Sequence, residues 1–349
     1  MTEEKEEMPM KTLLLSKTDV QNAVTMDEVI VAVENAYKAF QTGKVDQPPI
    51  QTMGMPEFNA ESDVKSCYNR DNAMFSIKTV GLFQDNMKGV STFAAADGGK
   101  LPNMMGNVIL GDGKTGATLA IMDASLITGI RTGAAGAISC KYMAREDAHV
   151  AAVFGMGAQA RMQVTAASKV RKLTEIRAFD KFMPQAAKDA YKADMEKITG
   201  AAVVICDSVE EAAKGADILI CPTPSREAYL KPEYVKKGAH IVEVGVDIET
   251  KAEVYPEVFA MADKVVCDSI AQCITRGETR NAIASGKFRQ EDIYGEIGEV
   301  VLGLKSGRDS DDEITIFDTT GMGIQDNTTA EAVYKSAQEK GLGAWFEFI

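Results

Sequence analysis

Histidine is almost missing from this 349-residue chain, which carries only His149 and His240. Neither stands at a metal-ligand spacing from a cysteine or a second histidine, so a histidine-based zinc site and a Ser-His-Asp triad both lack support. The six cysteines (Cys67, Cys140, Cys206, Cys221, Cys267 and Cys273) form no C-x-x-C pair. Free thiols in a reducing, cytoplasmic setting are therefore the expectation, not a disulfide framework or a metal site. Basic clusters are lacking too. A net charge of −13 would repel nucleic acid and anionic membranes, and neither is expected as a partner. No apolar run reaches the ~18 residues of a membrane span, and residues 2–7 are acidic where a secretory signal would be basic. Chemistry is thus left mostly to lysine, arginine, aspartate and a cofactor.

What is present is length enough for about two domains, and a change of pattern along the chain. With 45% hydrophobic and 26% charged residues, the composition is that of an ordinary globular protein. Residues 11–15 read as a short strand and 16–24 as a short helix. Thr25 can cap a helix over 26–42, where Val29, Ala32, Val33, Ala36 and Phe40 recur at helical spacing. Short strands and turns follow to about residue 120, clearest at 74–80 and 107–110, with Gly111-Asp-Gly-Lys-Thr-Gly116 as a hairpin turn before 117–122. The polar, glycine-rich stretch 83–102 suits a mobile loop near a site. A helix over 131–143 is crowded with small residues, which let it approach another backbone or a ligand closely. Strands at 149–154, 175–179, 202–205, 217–220, 240–244 and 264–267 then alternate with helices at 158–169, 184–197 and 209–214. This alternation predicts an α/β fold with a doubly wound parallel sheet. A final helix over 328–340 lies beyond that run, placed to fold back onto the first, smaller mixed α/β domain.

One motif carries a cofactor. The apolar strand Ala151-Ala-Val-Phe154 runs directly into Gly155-Met-Gly157-Ala-Gln-Ala160 and then a helix, which is G-x-G-x-x-A in its required context. Gly155 permits the tight turn, Gly157 lets a pyrophosphate approach the backbone, and Ala160 permits close helix–strand packing. The helix start, with Ala158 and Gln159, offers free N–H groups to phosphate. Asp180 ends the next strand about 20 residues later, where a carboxylate accepts both ribose hydroxyls and repels a 2′-phosphate. That favours NAD over NADP, although the neighbouring Lys181 works against the preference. The plainer reading is that Asp180 caps a turn.

Further motifs carry a resemblance. They are Met122-Asp123-Ala124, Thr128-Gly-Ile-Arg131-Thr132-Gly-Ala-Ala135, Cys221-Pro-Thr-Pro-Ser225, Val244-Gly-Val-Asp247, Ile297-Gly-Glu-Val-Val-Leu-Gly-Leu304 and Glu313-Ile-Thr-Ile-Phe-Asp318, with Thr320-Gly321 after it. In this order, from about residue 10 to the end, the chain resembles the ornithine cyclodeaminase/μ-crystallin family, most of all its archaeal-type alanine dehydrogenase branch. The resemblance implies a substrate-binding and dimerisation domain of residues 1–128 with 321–349, a Rossmann domain of residues 129–320, and a homodimer.

It also implies roles. Lys78 matches the lysine that touches the substrate carboxylate. Arg131 matches the arginine shared by substrate and pyrophosphate, and Thr132 a phosphate contact. Asp247 matches the acid/base carboxylate beside the nicotinamide, and Thr223, Pro224, Val246, Thr319 and Gly321 match cofactor contacts. Two cations that hold an amino or keto acid, with a carboxylate that manages the proton, suit hydride transfer at Cα. There are two departures from the family pattern. Pro48-Pro49 is followed by Ile50 where the family has a cation, and Lys65 stands where ornithine cyclodeaminases carry glutamate and alanine dehydrogenases arginine. An ammonium at 65 would repel ornithine's side chain and can instead grip a carboxylate. The expectation is an NAD-dependent dehydrogenase or imine reductase acting on a small L-amino acid or its imino or keto partner. The alternatives are an ornithine cyclodeaminase, which recycles NAD and releases proline and ammonia, and a non-catalytic NAD- or ligand-binding protein.

Overall fold

The computed structural model describes residues 10–86 and 101–348, so most of the expected mobile loop, 87–100, lies outside the described residues. The chain divides into two units. The first takes the described residues of 1–25, 43–128 and 323–349. Its strands are β1 (Lys11–Leu15), β2 (Val45–Asp46), β3 (Gln51–Met55), β4 (Ala60–Asn69), β5 (Met74–Phe83), β6 (Met104–Asp112) and β7 (Thr118–Asp123), joined by the terminal strand Ala344–Glu347. The sheet runs from that terminal strand through β1, β7, β6, β5 and β4 to β2, with β3 beside the first half of β4. Only β1 and β7 pair in parallel; the other neighbours are antiparallel.

Helix Gly323–Lys340 packs on β4, β5 and β6 and starts five residues before the expected 328. Its first turns are polar yet buried, from Gln325 to Thr329. Hydrogen bonds replace apolar packing there: Ile324 N donates to Gln47 Oε1 at 3.1 Å and Asn327 Nδ2 to the Met74 carbonyl at 3.2 Å. Apolar periodicity cannot reveal a helix face held in this way. Helix Ala124–Met143 likewise begins seven residues before the expected 131. Asp123 accepts the Leu126 N–H at 2.8 Å, the work of an N-cap side chain.

The second unit takes residues 26–42 and 129–322. This corrects the expectation that everything up to 128 belongs to the first domain. Helix Met26–Gln41 lies with the second unit because it packs on helices Ile297–Val301 and Ala158–Val170. Gly298 lets the backbone of Tyr37 come close, and Lys141 bridges to Glu34 at 2.6 Å. The C-terminal boundary also moves, from 320/321 to 322/323.

The strands of this unit are β8 (Val150–Phe154), β9 (Glu175–Phe179), β10 (Ala202–Ile205), β11 (Ile218–Cys221), β12 (His240–Glu243), β13 (Lys264–Cys267), β14 (Gly295–Glu296) and β15 (Thr315–Asp318). All pair in parallel in the order β10-β9-β8-β11-β12-β15-β13-β14. The chain reverses its direction of travel across the sheet between β8 and β11, the place where doubly wound sheets bind ligands beyond their strand ends. Phe154, Leu219, Ile241, Val265 and Ile316 belong to the buried core. The small residues of helix Ala124–Met143 serve close packing: Gly133 and Gly136 press on Met162 and Gln163 of helix Ala158–Val170, and Gln163 Nε2 donates to the Thr132 carbonyl at 2.7 Å. His240 is buried between Ser139 Oγ at 3.0 Å and Thr315 Oγ1 at 2.9 Å, and burial pushes its pKa down to about 3. It is thus a neutral core residue. No helix of the described residues is long and apolar enough to cross a membrane.

Candidate active site

At the end of β8, Gly155 takes φ +84°, a left-handed conformation that glycine adopts without strain. Its N–H donates to the Phe179 carbonyl at 2.6 Å, which ties the loop to the end of β9. Gly157 then starts helix Ala158–Val170 with no side-chain cap, so the first N–H groups of the helix stay available to an incoming group. Space above Gly157 is open, because a methyl placed there would meet nothing within 4 Å. Ala160 is buried, and Gln159 Oε1 is a buried acceptor with no partner among the described residues. An uncapped helix start with open space above Gly157 fits a dinucleotide pyrophosphate.

Asp180 has both of the roles weighed for it within reach. Its Oδ2 accepts the Met156 N–H at 3.0 Å, and its Oδ1 accepts Phe182 and Met183 N–H groups at 2.9 Å. It therefore caps its own turn and pins the glycine loop, which leaves about one of a carboxylate's four acceptor positions for a ribose hydroxyl.

Loops after the other strands complete this end of the sheet. Thr223 follows β11, and its Cγ2 lies 3.1 Å from where a side chain on Gly155 would begin. Pro224 is exposed and Val246 buried. Asp247, after β12, is about half exposed and pairs with Lys251 Nζ at 2.5 Å, while Arg276 Nε donates to its backbone carbonyl at 2.9 Å. After β15, Thr319 Oγ1 and Gly321 N both donate to Asp268 Oδ2, at 2.6 and 2.9 Å. Gly321 has φ +80°, and a methyl there would collide with the guanidinium of the buried Arg131. Arg131 and the Thr319–Gly321 turn are thus brought together.

This end of the sheet also buries carboxyl groups that the sequence reading missed. Glu243, Glu253, Glu278 and Asp318 are all at most 1% exposed, and neither oxygen of Glu243 has a hydrogen-bond partner among the described residues. Burial and then the nearby Glu253 hold the Glu243 carboxyl well above the usual range, and burial raises Glu253 as well. Burial pushes Glu278 up to about 8 and Asp318 up to about 7. No group of three or more His, Cys, Asp or Glu side chains among the described residues is placed to hold a metal ion. A signal was visible: β12 and β15 each end on an acid, Glu243 and Asp318, and Asp268 directly follows β13.

Within the first unit, Lys65 on β4 and Lys78 on β5 are direct cross-strand partners, so their side chains share a face. Both are buried, at 8% and 1% exposure. Lys78 Nζ meets Asp326 at 2.9 Å and Thr128 Oγ1 at 3.2 Å. Asp326 is the residue the sequence reading missed here, because it lies on the polar first turns of helix Gly323–Lys340. Of the four principal candidates, Lys65 and Lys78 belong to the first unit, and Arg131 and Asp247 to the second.

Comparison with known proteins supports the same reading of the chain. The profile of the ornithine cyclodeaminase/mu-crystallin family matches residues 10–341. An alanine dehydrogenase of Archaeoglobus fulgidus is 37% identical over 97% of this chain and 99% of its own length. An archaeal alanine dehydrogenase dimer with bound NAD superimposes with a TM-score of 0.89 at 34% identity, over 97% of this chain and all (100%) of that one. The Δ1-pyrroline-2-carboxylate reductase of Thermococcus litoralis, solved with NADH and L-proline, gives a TM-score of 0.89 at 32% identity, over 95% of this chain and 99% of that one. The likeness spans both units and every motif named above. This chain belongs to the ornithine cyclodeaminase/μ-crystallin family.

Proposed function

We propose that the chain is an NAD-dependent oxidoreductase that exchanges hydride at Cα of a small L-amino acid or its imino or keto partner. The observation that carries this reading is the loop from Gly155 to Ala160, an open cradle at the uncapped start of a helix, with Asp180 beside it. NAD, when bound, supplies the hydride acceptor or donor. Arg131, Thr132, Gly155, Gly157, Ala158, Gln159, Ala160, Asp180, Thr223, Pro224, Val246, Thr319 and Gly321 hold it. Relatives solved with NAD or NADH support that assignment.

Lys65 and Lys78 define the substrate class. Two ammonium groups on one face of β4 and β5 favour a carboxylate and oppose the side-chain ammonium of ornithine. Lys78 is held in place by Asp326, so the carboxylate meets a preset charge. Arg131 shares the grip on substrate. Asp247, about half exposed and held by Lys251, serves as the acid/base group. The chain works as a homodimer. The first unit supports this through the exposed aromatic residues Trp345, Phe346 and Phe348 on its terminal edge, and a relative is a dimer. Six cysteines, all free and buried, suit a cytoplasmic setting.

The test is absorbance at 340 nm with NAD⁺ and a panel of L-amino acids, with ornithine reactions also checked for proline and ammonia. NADH accumulation with a small amino acid is expected. Proline and ammonia without net NADH would place the chain among the cyclodeaminases. NADH binding without turnover of any amino, imino or keto acid would reduce it to a binding protein.

A further inference from the structure

Glu253 lies in the loop after β12 and is fully buried, yet nothing in the reaction asks for a carboxylate there. Its Oε1 accepts three hydrogen bonds: from Thr223 N at 2.6 Å, Thr223 Oγ1 at 2.6 Å and the Tyr229 hydroxyl at 2.7 Å. Its Oε2 accepts one, from Gly245 N at 3.1 Å. The carboxylate thus joins the loop after β11, which carries Thr223, to the loop after β12, which carries Asp247 two residues beyond Gly245. Gly245 gives a second, independent sign of this junction: a methyl there would overlap both the Thr223 backbone and the Glu253 carboxylate. Glu253 is itself fixed from behind. Its N–H donates to Glu278 Oε2 at 2.8 Å, its carbonyl accepts Tyr229 and Leu230 N–H groups at 2.8 and 3.0 Å, and Asn281 holds the other oxygen of Glu278 at 3.0 Å.

We propose that Glu253 is a positioning residue that locks these two loops together and so sets where Thr223 and Asp247 stand toward the bound dinucleotide. This rests on the roles given above to Thr223 and Asp247. The two oxygens do different work, and that division makes the proposal testable. In Glu253→Gln the amide oxygen takes the place of Oε1 and keeps the three donors on the Thr223 side. The amide NH₂ then faces the Gly245 N–H, donor against donor, and releases only the Asp247 loop. Glu253→Ala releases both loops.

The experiment measures NADH affinity by fluorescence, steady-state kcat and KM, and amide hydrogen exchange on the full-length wild type and both variants. Glu257→Gln, at an exposed ion pair with Lys287, is the control. For Glu253→Gln the expected result is kcat down about tenfold or more, NADH affinity within about threefold, and faster exchange confined to residues 244–247. Glu253→Ala should add a loss of NADH affinity and faster exchange at residues 221–225. A residue that only stabilised the fold would lower the melting temperature in both variants and leave this split absent. Indistinguishable variants, or wild-type kcat in Glu253→Gln, would overturn the proposal. If neither variant folds, wild-type exchange decides: slow Thr223 and Gly245 amides, matched to those of β11 and β12, are required, and fast exchange at either defeats it. Wild-type protein that binds NADH but turns over no substrate would defeat the function proposed above, while affinity and exchange would still report on the lock.

Discussion

In the first unit the buried Lys78 ammonium meets the Asp326 carboxylate at 2.9 Å, whereas in the second Glu243, Glu253, Glu278 and Asp318 are buried with no ion pair among the described residues. Both arrangements take charge out of water, which costs several kcal/mol per ion unless something compensates. The first unit compensates with an opposite charge. The second compensates Glu253 with four accepted hydrogen bonds and the other carboxyls mainly with protons, because a carboxyl can become neutral. A paired charge therefore fails when its partner is removed, and a proton-compensated one fails when the pH rises.

The largest effect follows from unpairing the first site. Asp326→Ala leaves Lys78 buried without its carboxylate and should cost about 3–5 kcal/mol, read from denaturant unfolding, with activity lost as well. The double variant Lys78→Met, Asp326→Leu should recover most of that stability and none of the activity. Recovery of activity would show that the pair serves the fold alone.

Asp247 is an accessible carboxylate of the second unit, in contrast to the buried ones. Asp247→Asn should lower kcat by roughly 10²–10⁴-fold with NADH affinity nearly unchanged. An unchanged kcat would remove it from the chemistry.

Next comes the proton-compensated cluster. A carboxyl whose folded pKa lies above its unfolded value of about 4 binds its proton more tightly in the folded state. Its stabilising contribution is complete below about pH 4 and is lost as pH rises through the folded values, which are about 7 for Asp318 and about 8 for Glu278. Stability should therefore fall from about pH 4 up to about pH 7 for Asp318 and about pH 8 for Glu278, by at most about 1.4 kcal/mol per pH unit for each group, and level off above. Glu243→Gln, a permanently neutral side chain of the same shape, should flatten that fall. A melting temperature equally pH-dependent in wild type and variant would contradict proton compensation at Glu243.

The smallest effect is expected at Lys65, beside Lys78 on the same face. Lys65→Glu should raise KM for a monocarboxylate roughly tenfold, equivalent to ~1.4 kcal/mol, and make ornithine a comparatively better ligand. No change for either would remove the charge argument against a diamine.

The legible part of the molecule was the part that repeats simple physics. The parallel sheet of the second unit announced itself through apolar strands alternating with helices, and the Gly155–Ala160 loop through its place between strand and helix. Lys78, Arg131 and Asp247 entered through resemblance, since a lone lysine in a strand carries no sign of its task. Asp326 stayed hidden because the start of its helix is polar and held by hydrogen bonds, so hydrophobic spacing pointed to a helix beginning at 328. Helix Met26–Gln41 was recognised, but its unit was not, because an apolar stripe says that a helix packs and not on what. Glu253 was invisible for a different reason. Its role lies in joining two loops, and only the fold brings Thr223, 30 residues away in sequence, to it.

The central claim is that hydride leaves or joins Cα of an amino acid at a nicotinamide held by the second unit. It is tested most directly with an active L-amino acid deuterated at Cα, with NAD⁺ and the full-length protein. The account predicts that the reduced cofactor carries deuterium at C4 of its nicotinamide ring and that turnover slows relative to the protiated substrate. Deuterium released to solvent, with none at C4, would contradict it.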